Sequence, residues 1–201
     1  MSQHIEIYIL YRIYGYGRGT CFTPDRFLDL GSDTAIRQGL SRLTKDGHIR
    51  RLFKGLYEYP KKHKELGLIP ASIEAVVKAI AKRDNIAIQP SGAYAANLLG
   101  LSEQIPARVI YLTNGSSRKM KIGTQTLVFK KTANKSMAVA GTTSGLVFEA
   151  FKYIGKENIT DQMVMGLRKK LSTKDRNQLL ANLKYSPIWM RPTVKQLAAK
   201  K

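Results

Sequence analysis

Thr34, Arg37, Gln38, Ser41, Arg42 and Lys45, with Asp33, fall at spacings that place them on one side of a helix, opposite Ile36, Leu40 and Leu43. These side chains carry the chemistry that reads a duplex. Arginine pairs with guanine edges, glutamine with adenine, and serine or threonine with either. Arg42 and Lys45 serve equally as phosphate contacts, which position a protein without specifying a sequence. Arg50, Arg51, Lys54 and Tyr57 follow in residues 48–60, where Lys54-Gly55 suits a hairpin turn. Residues so placed flank a wing that meets phosphates or the minor groove. A solvated amphipathic helix alone would show the same apolar stripe. The ordered combination on a strongly basic chain favours DNA binding.

A second set lies further on. Between Gln104 and Phe148 there is no acidic residue, and the stretch carries Arg108, Arg118, Lys119, Lys121, Lys130, Lys131 and Lys135. This predicts a second basic surface on Arg108, Arg118, Lys119, Lys121, Lys130 and Lys131, which would lengthen a DNA footprint and steepen its salt dependence. Within it, residues 114–119 (Asn-Gly-Ser-Ser-Arg-Lys) suit either a phosphate cradle or a plain hairpin turn.

Signatures of catalysis are sparse. No Gly-x-Ser-x-Gly, His-Glu-x-x-His or Walker loop appears. Ser116-x-x-Lys119 lacks the companion elements of its class, and Gly15-x-Gly17-x-Gly19 has the wrong spacing for a dinucleotide loop. Cys21 with His4, His48 and His63 gives no metal-ligand spacing. Paired carboxylates for two-metal chemistry have no candidate cluster. The expectation is a non-enzyme with no cofactor and no metal.

The elements that must position these residues follow from local pattern. Residues 4–14 alternate as a strand would, yet Ile5, Ile9 and Ile13 at spacing four suit a helix, and periodicity alone leaves both open. Thr23-Pro24-Asp25 opens a short helix over residues 24–30, ended by Gly31. Ser32 or Asp33 caps a second helix that Asp46-Gly47 ends. Gly39 inside it implies close approach of another backbone. A hairpin fills residues 48–60. Residues 61–68, which contain Lys61-Lys62-His63-Lys64, suit a linker ahead of Pro70. Downstream, the pattern predicts a helix over 72–83, a strand over 86–88 and a helix over 91–99. Strands are expected at 108–113, 119–122 and 126–131, and a helix from 145 to about 153. Thr160-Asp161, Ser172-Thr173 and Pro192-Thr193 open three more helices. The expected fold class is α+β. An N-terminal winged helix-turn-helix over residues 1–64 precedes a second α/β domain over residues 70–201 that ends in helices.

Charge ties the sets together. The chain has 201 residues with 34 Lys+Arg against 14 Asp+Glu, a net charge of +20. Residues 1–64 contribute +6 of it and residues 65–201 contribute +14. Such an excess speaks of partners rather than fold, and the abundant acidic partner in a cell is nucleic acid. Lys200-Lys201 suits a solvated run. A hydrophobic fraction of 43% with 24% charged residues excludes a disordered composition. The single cysteine excludes an internal disulfide framework and fits a reducing compartment. No run of about 18 apolar residues is present, so no transmembrane helix is expected, and the N-terminus lacks a charged start followed by an unbroken apolar core, so no secretory signal is expected.

Residues 46–60, Asp-Gly-His-Ile-Arg-Arg-Leu-Phe-Lys-Gly-Leu-Tyr-Glu-Tyr-Pro, resemble the wing signature of the AbiEi-type antitoxin and transcriptional regulator family. The resemblance continues through residues 90–102 (Pro-Ser-Gly-Ala-Tyr-Ala-Ala-Asn-Leu-Leu-Gly-Leu-Ser). It extends to Ile105-Pro106-Ala-Arg108, Tyr111-Leu-Thr113-Asn-Gly115 and Lys121-Ile-Gly123, covering residues 20–135. It implies a cytoplasmic bacterial protein that binds double-stranded DNA at promoter inverted repeats and represses its own operon. It further implies an antitoxin of a type IV toxin-antitoxin system, which neutralises a nucleotidyltransferase-like toxin without a stable complex. DNA reading then falls on Arg37, Gln38, Ser41, Arg42 and Lys45, and the wing role on Arg50, Arg51, Lys54 and Tyr57.

Two rivals remain. An RNA-binding or ribosome-associated basic protein would use some of its ten Tyr and six Phe for stacking. A protein-interaction module would use its second domain to bind an acidic toxin directly.

Overall fold

The computed structural model describes residues 2–199, and Lys200-Lys201 lie outside them. The chain is a mixed α+β protein of two compact units, Met1–Asn85 and Ile86–Lys201. The division falls after the helix that begins at Ile73 rather than in the basic segment before it.

The first unit begins with helix α1 (Ser2–Tyr16), so the spacing of Ile5, Ile9 and Ile13 decides over the alternation. Ile9 and Ile13 are fully buried. Strand β1 (Cys21–Phe22) follows, then a single 3-10 turn, Pro24–Phe27. The helix expected over 24–30 is thus shorter. The Thr23 hydroxyl makes no cap bond and donates instead to the Asp25 carboxylate at 3.2 Å. Helix α2 (Asp33–Lys45) is capped by Ser32, whose hydroxyl accepts from the Ala35 amide at 3.3 Å. Strands β2 (Arg50–Phe53) and β3 (Leu56–Glu58) form the expected hairpin, turning at Gly55 with φ +71°. The sheet order β1-β3-β2 puts β3 in the centre. Ile9, Ile13, Phe22, Phe27, Ile36, Leu40, Leu43, Ile49 and Tyr57 form one core.

Two expectations change here. Gly39 faces the Glu6 and Ile9 side chains of α1, each 3.3 Å from where a Cβ would sit, so the close neighbour is side chain and not backbone. The segment expected as a linker pairs as strands β4 (Lys62–His63) and β5 (Gly67–Leu68). Helix α3 (Ile73–Asp84) ends at Asn85, a non-glycine residue in the left-handed region at φ 48°.

The second unit carries a four-stranded sheet of order β6-β7-β9-β8. Strand β6 (Ile88–Ser91) runs later than expected and takes Ser91 from helix α4 (Ala93–Leu98). Strands β7 (Arg108–Thr113), β8 (Arg118–Ile122) and β9 (Gln125–Lys131) lie close to their expected bounds. β9 inserts between β7 and β8, parallel to the first and antiparallel to the second. A short helix α5 (Asn134–Met137), missed in the sequence, precedes α6 (Thr143–Ile154). Helices α7 (Asp161–Lys170), α8 (Thr173–Ala181) and α9 (Arg191–Ala198) complete the chain. Val147, Phe148 and Phe151 of α6 pack with Val164, Leu167, Leu179, Val194 and Leu197 in the core of this unit. No helix among the described residues is long and apolar enough to cross a membrane.

Candidate nucleic-acid interface

Helix α2 buries Ile36, Gly39, Leu40 and Leu43 and turns its other side outward. Thr34, Arg37, Gln38, Ser41 and Lys45 are all exposed. Arg37 donates to Asp33 one turn earlier at 2.7 Å, and that hydrogen bond raises its pKa above the ordinary arginine value. An exposed pair of this spacing contributes only about 0.3–0.5 kcal/mol, so Arg37 exchanges Asp33 for a stronger acceptor at little cost. Arg42 differs from the other five. It forms an ion pair with Glu6 of α1, which is only 18% exposed. Its guanidinium fastens α2 to α1, while 40% of the side chain stays exposed beside the other five.

The hairpin divides in the same way. Arg51 and Lys54 are exposed, and Arg51 Nε donates to the Phe53 carbonyl at 3.3 Å. Arg50 turns inward. Its Nε and Nη2 donate to Glu58 Oε2 at 3.0 and 2.5 Å, and Nη2 also reaches the Ile69 carbonyl at 3.1 Å. Tyr57 is 5% exposed and stacks on Phe22 with ring centroids 6.2 Å apart. Neither Arg50 nor Tyr57 meets an outside partner as expected of the wing. All three residues of β3 are buried, and as the central strand it is hydrogen-bonded along both edges. Sequence reasoning missed the β4–β5 hairpin, which exposes Lys61, Lys62, His63 and Lys64. The basic run was its signal. The His63 ring Nδ1 accepts from the Glu65 and Leu66 amides at 3.3 Å and shapes the turn.

The second sheet sorts its cations by register. Lys121, Thr126 and Arg108 lie opposite one another across β8, β9 and β7, as do Lys119, Val128 and Ile110. Lys130 lies two residues on from Val128. Side chains alternate along strands, so Arg108, Lys119, Lys121 and Lys130 share one face, and all four are exposed. Arg118 and Lys131 belong to the opposite face, where the Arg118 guanidinium lies 4.8 Å from the Phe129 ring centroid. Four of the six expected bases are therefore brought together and two are not. The segment 114–119 is occupied with its own fold. Asn114 accepts from the Ala87 amide at 2.9 Å, the Gly115 amide donates to Thr113 Oγ1 at 3.0 Å, and Ser117 accepts from the Lys131 amide at 2.9 Å. These groups tie strand ends together, which favours the plain turn over the phosphate cradle.

Groups suited to bond chemistry are dispersed. Burial pushes the Cys21 thiol up to about 12, with Glu58 adding to the shift, so it stays protonated at neutral pH. The buried Glu149 carboxylate accepts from Ser91 Oγ and Lys152 Nζ, each at 2.7 Å, and those contacts occupy both of its oxygens. Among the described residues, no three His, Cys, Asp or Glu side chains converge as a metal site would require.

Two basic faces on an α+β protein, one helical and one on a sheet, define the class of structure. The chain belongs to a family of unknown function, DUF6088, whose model matches residues 8–179. No curated protein matches it.

Proposed function

We propose that the protein is a sequence-specific DNA-binding repressor whose first unit is a winged helix-turn-helix. The observation that carries this is the exposed side of α2. Thr34, Arg37, Gln38, Ser41 and Lys45 stand together on a helix that is followed directly by a hairpin with exposed Arg51 and Lys54. The order α1, β1, short turn, α2, β2, β3 with sheet order β1-β3-β2 suits a recognition helix entering the major groove beside a wing. Arg37 and Gln38 read bases, while Lys45, Arg51 and Lys54 hold phosphates. The basic sheet face of the second unit adds phosphate contacts of its own.

The fuller form of this proposal is autoregulation of its own operon by a cytoplasmic, non-enzymatic antitoxin of the AbiEi type. Its support is the order of motifs over residues 20–135. The double variant Arg37→Ala/Gln38→Ala tests the core of the proposal. Specific binding to the protein's own upstream DNA is lost while thermal unfolding is unchanged. Specific binding that survives the double variant refutes the helix assignment.

The RNA-binding alternative gains one observation. Tyr8 and Tyr11 are 60% and 70% exposed on α1. Competition between a duplex and a single-stranded RNA of equal length separates the two, because a stacking surface prefers the unpaired strand.

A further inference from the structure

Helix α3 presents Ala75, Lys78, Ala79 and Lys82 along one side, at the spacing that keeps residues on a single helical face. Its other side puts Ile73, Val76, Val77 and Ile80 into the core. The two alanines leave room that longer side chains would fill. Together with β1 and the turn after it, this face encloses a pocket of about 330 Å³. Phe22 and the alanines supply apolar wall, and Arg26, Lys78 and Lys82 supply three cations. None of the three has a carboxylate partner among the described residues, and no acidic residue lines the pocket. Asp25, the nearest acid in sequence, accepts from the Thr23 hydroxyl at 3.2 Å and is outside the lining. The Arg26 guanidinium is held in place over the Tyr16 ring, 4.8 Å from its centroid. β1 is an edge strand, so one of its rows of backbone amides and carbonyls is outside the ladder.

We propose that this pocket binds a phosphorylated small molecule of nucleotide size. Like charges converging on a concave wall raise the local potential and attract a compact polyanion. The volume falls at the lower end of small-molecule sites, and apolar wall beside convergent charge is their usual make-up. A ligand with phosphates against Lys78, Lys82 and Arg26 places its base or sugar over Ala75, Ala79 and Phe22. A duplex backbone suits the site less, because it is a convex ridge and the cations line a hollow. The site is built from β1, the turn after it and α3, and its ligand binds without a duplex.

Isothermal titration of the full chain with ATP, at about 150 mM salt to suppress general attraction to a +20 protein, tests this. The expected result is saturable binding of one ATP per chain. Lys78→Ala/Lys82→Ala weakens it at least about tenfold, as expected for losing charge-assisted phosphate contacts. Alanine favours helix, so the variant folds. Lys169→Ala/Lys195→Ala removes equal charge from exposed positions elsewhere and leaves ATP affinity within about twofold. Adenosine, which lacks phosphates, binds far more weakly. Non-saturating binding, equal weakening by both double variants, or adenosine binding as tightly as ATP overturns the proposal. So does a Lys78→Ala/Lys82→Ala variant that loses duplex affinity when the wild type takes no ATP, since the pocket then grips backbone phosphate.

Discussion

Arg50 and Glu58 face each other across the β2–β3 hairpin, with Nη2 2.5 Å from Oε2, and the carboxylate is 1% exposed while the guanidinium is 33% exposed. The pair sits in the three-stranded sheet of the first unit, and Arg50 continues to the Ile69 carbonyl. A charge buried this far depends on its partner. Removing one side of a buried pair destabilises by about 3–5 kcal/mol, because the other charge is left uncompensated. Arg50→Ala is therefore expected to lower unfolding free energy by about 3 kcal/mol, the lower bound reflecting the partly exposed arginine. Glu58→Gln, which keeps shape and leaves the more exposed cation, costs less. Urea denaturation of the three proteins measures both. An Arg50→Ala protein as stable as the parent would return Arg50 to the list of outward-facing wing residues.

The proposed base readers of α2 are distinguished from Arg42 by its ion pair with Glu6 of α1. Arg37→Ala and Gln38→Ala each lose about 1–3 kcal/mol of discrimination at one base position and leave stability within about 0.5 kcal/mol. Arg42→Ala breaks the pair with Glu6 and lowers stability instead. Anisotropy titrations on single-base operator variants, run beside thermal melts, distinguish the two kinds of effect. Arg42→Ala that alters base preference with an unchanged melt would contradict the division.

The sheet face makes a prediction about salt. Lys119→Ala/Lys121→Ala removes two phosphate contacts, so the slope of log affinity against log salt falls by about two. Affinity drops equally for operator and scrambled duplex, since phosphates carry no sequence. Arg118→Ala, on the other face beside Phe129, leaves the slope unchanged. A slope that both variants shift alike would mean the register does not sort these cations as described.

Helix α8 offers a test of pH. Ser172 and Asp175 form a reciprocal capping box: the Ser172 amide donates to the Asp175 carboxylate at 3.1 Å and the Ser172 hydroxyl accepts from the Asp175 amide at 3.2 Å, while that hydroxyl also donates to the carboxylate at 2.5 Å. The Asp175 carboxylate also accepts from Thr143 at 2.6 Å. Hydrogen bonds from Ser172 first and Thr143 second hold Asp175 below the ordinary aspartate pKa. A depressed folded value contributes stability above the unfolded pKa of about 3.9, and that contribution is lost as pH falls through the folded value. Ser172→Ala is expected to cost about 1 kcal/mol at neutral pH. The gap between variant and parent narrows below about pH 4. Chemical denaturation across that range checks it, and a gap that widens in acid would contradict the assignment.

The fold was legible in the sequence wherever a local rule had no competitor. Ser32 before α2, Ser172 before α8 and Gly55 in the hairpin turn each did in space what their chemistry implied. Residues 4–14 carried two periodicities at once, and only the burial of Ile9 and Ile13 against α2 decides between them. The segment 61–68 is too polar to announce strands, because both β4 and β5 are exposed and bury nothing. On the candidate site, exposure along α2 followed from helical geometry. The inward turn of Arg50 and Tyr57 did not, since it depends on distant contacts: Arg50 reaches the Ile69 carbonyl, and Tyr57 packs on Phe22 once β1 pairs with β3. That pairing is between residues 21–22 and 57–58, far apart in sequence.

The central claim rests on sequence-specific duplex binding through α2. The most direct measurement is a gel-shift titration of the full chain at about 150 mM salt. The probes are the protein's own upstream DNA and a scrambled duplex of equal length. The account predicts at least about a thousandfold preference for the upstream sequence, as specific readers show over their non-specific binding. Equal, salt-sensitive binding to both probes would contradict it and leave a general polyanion binder.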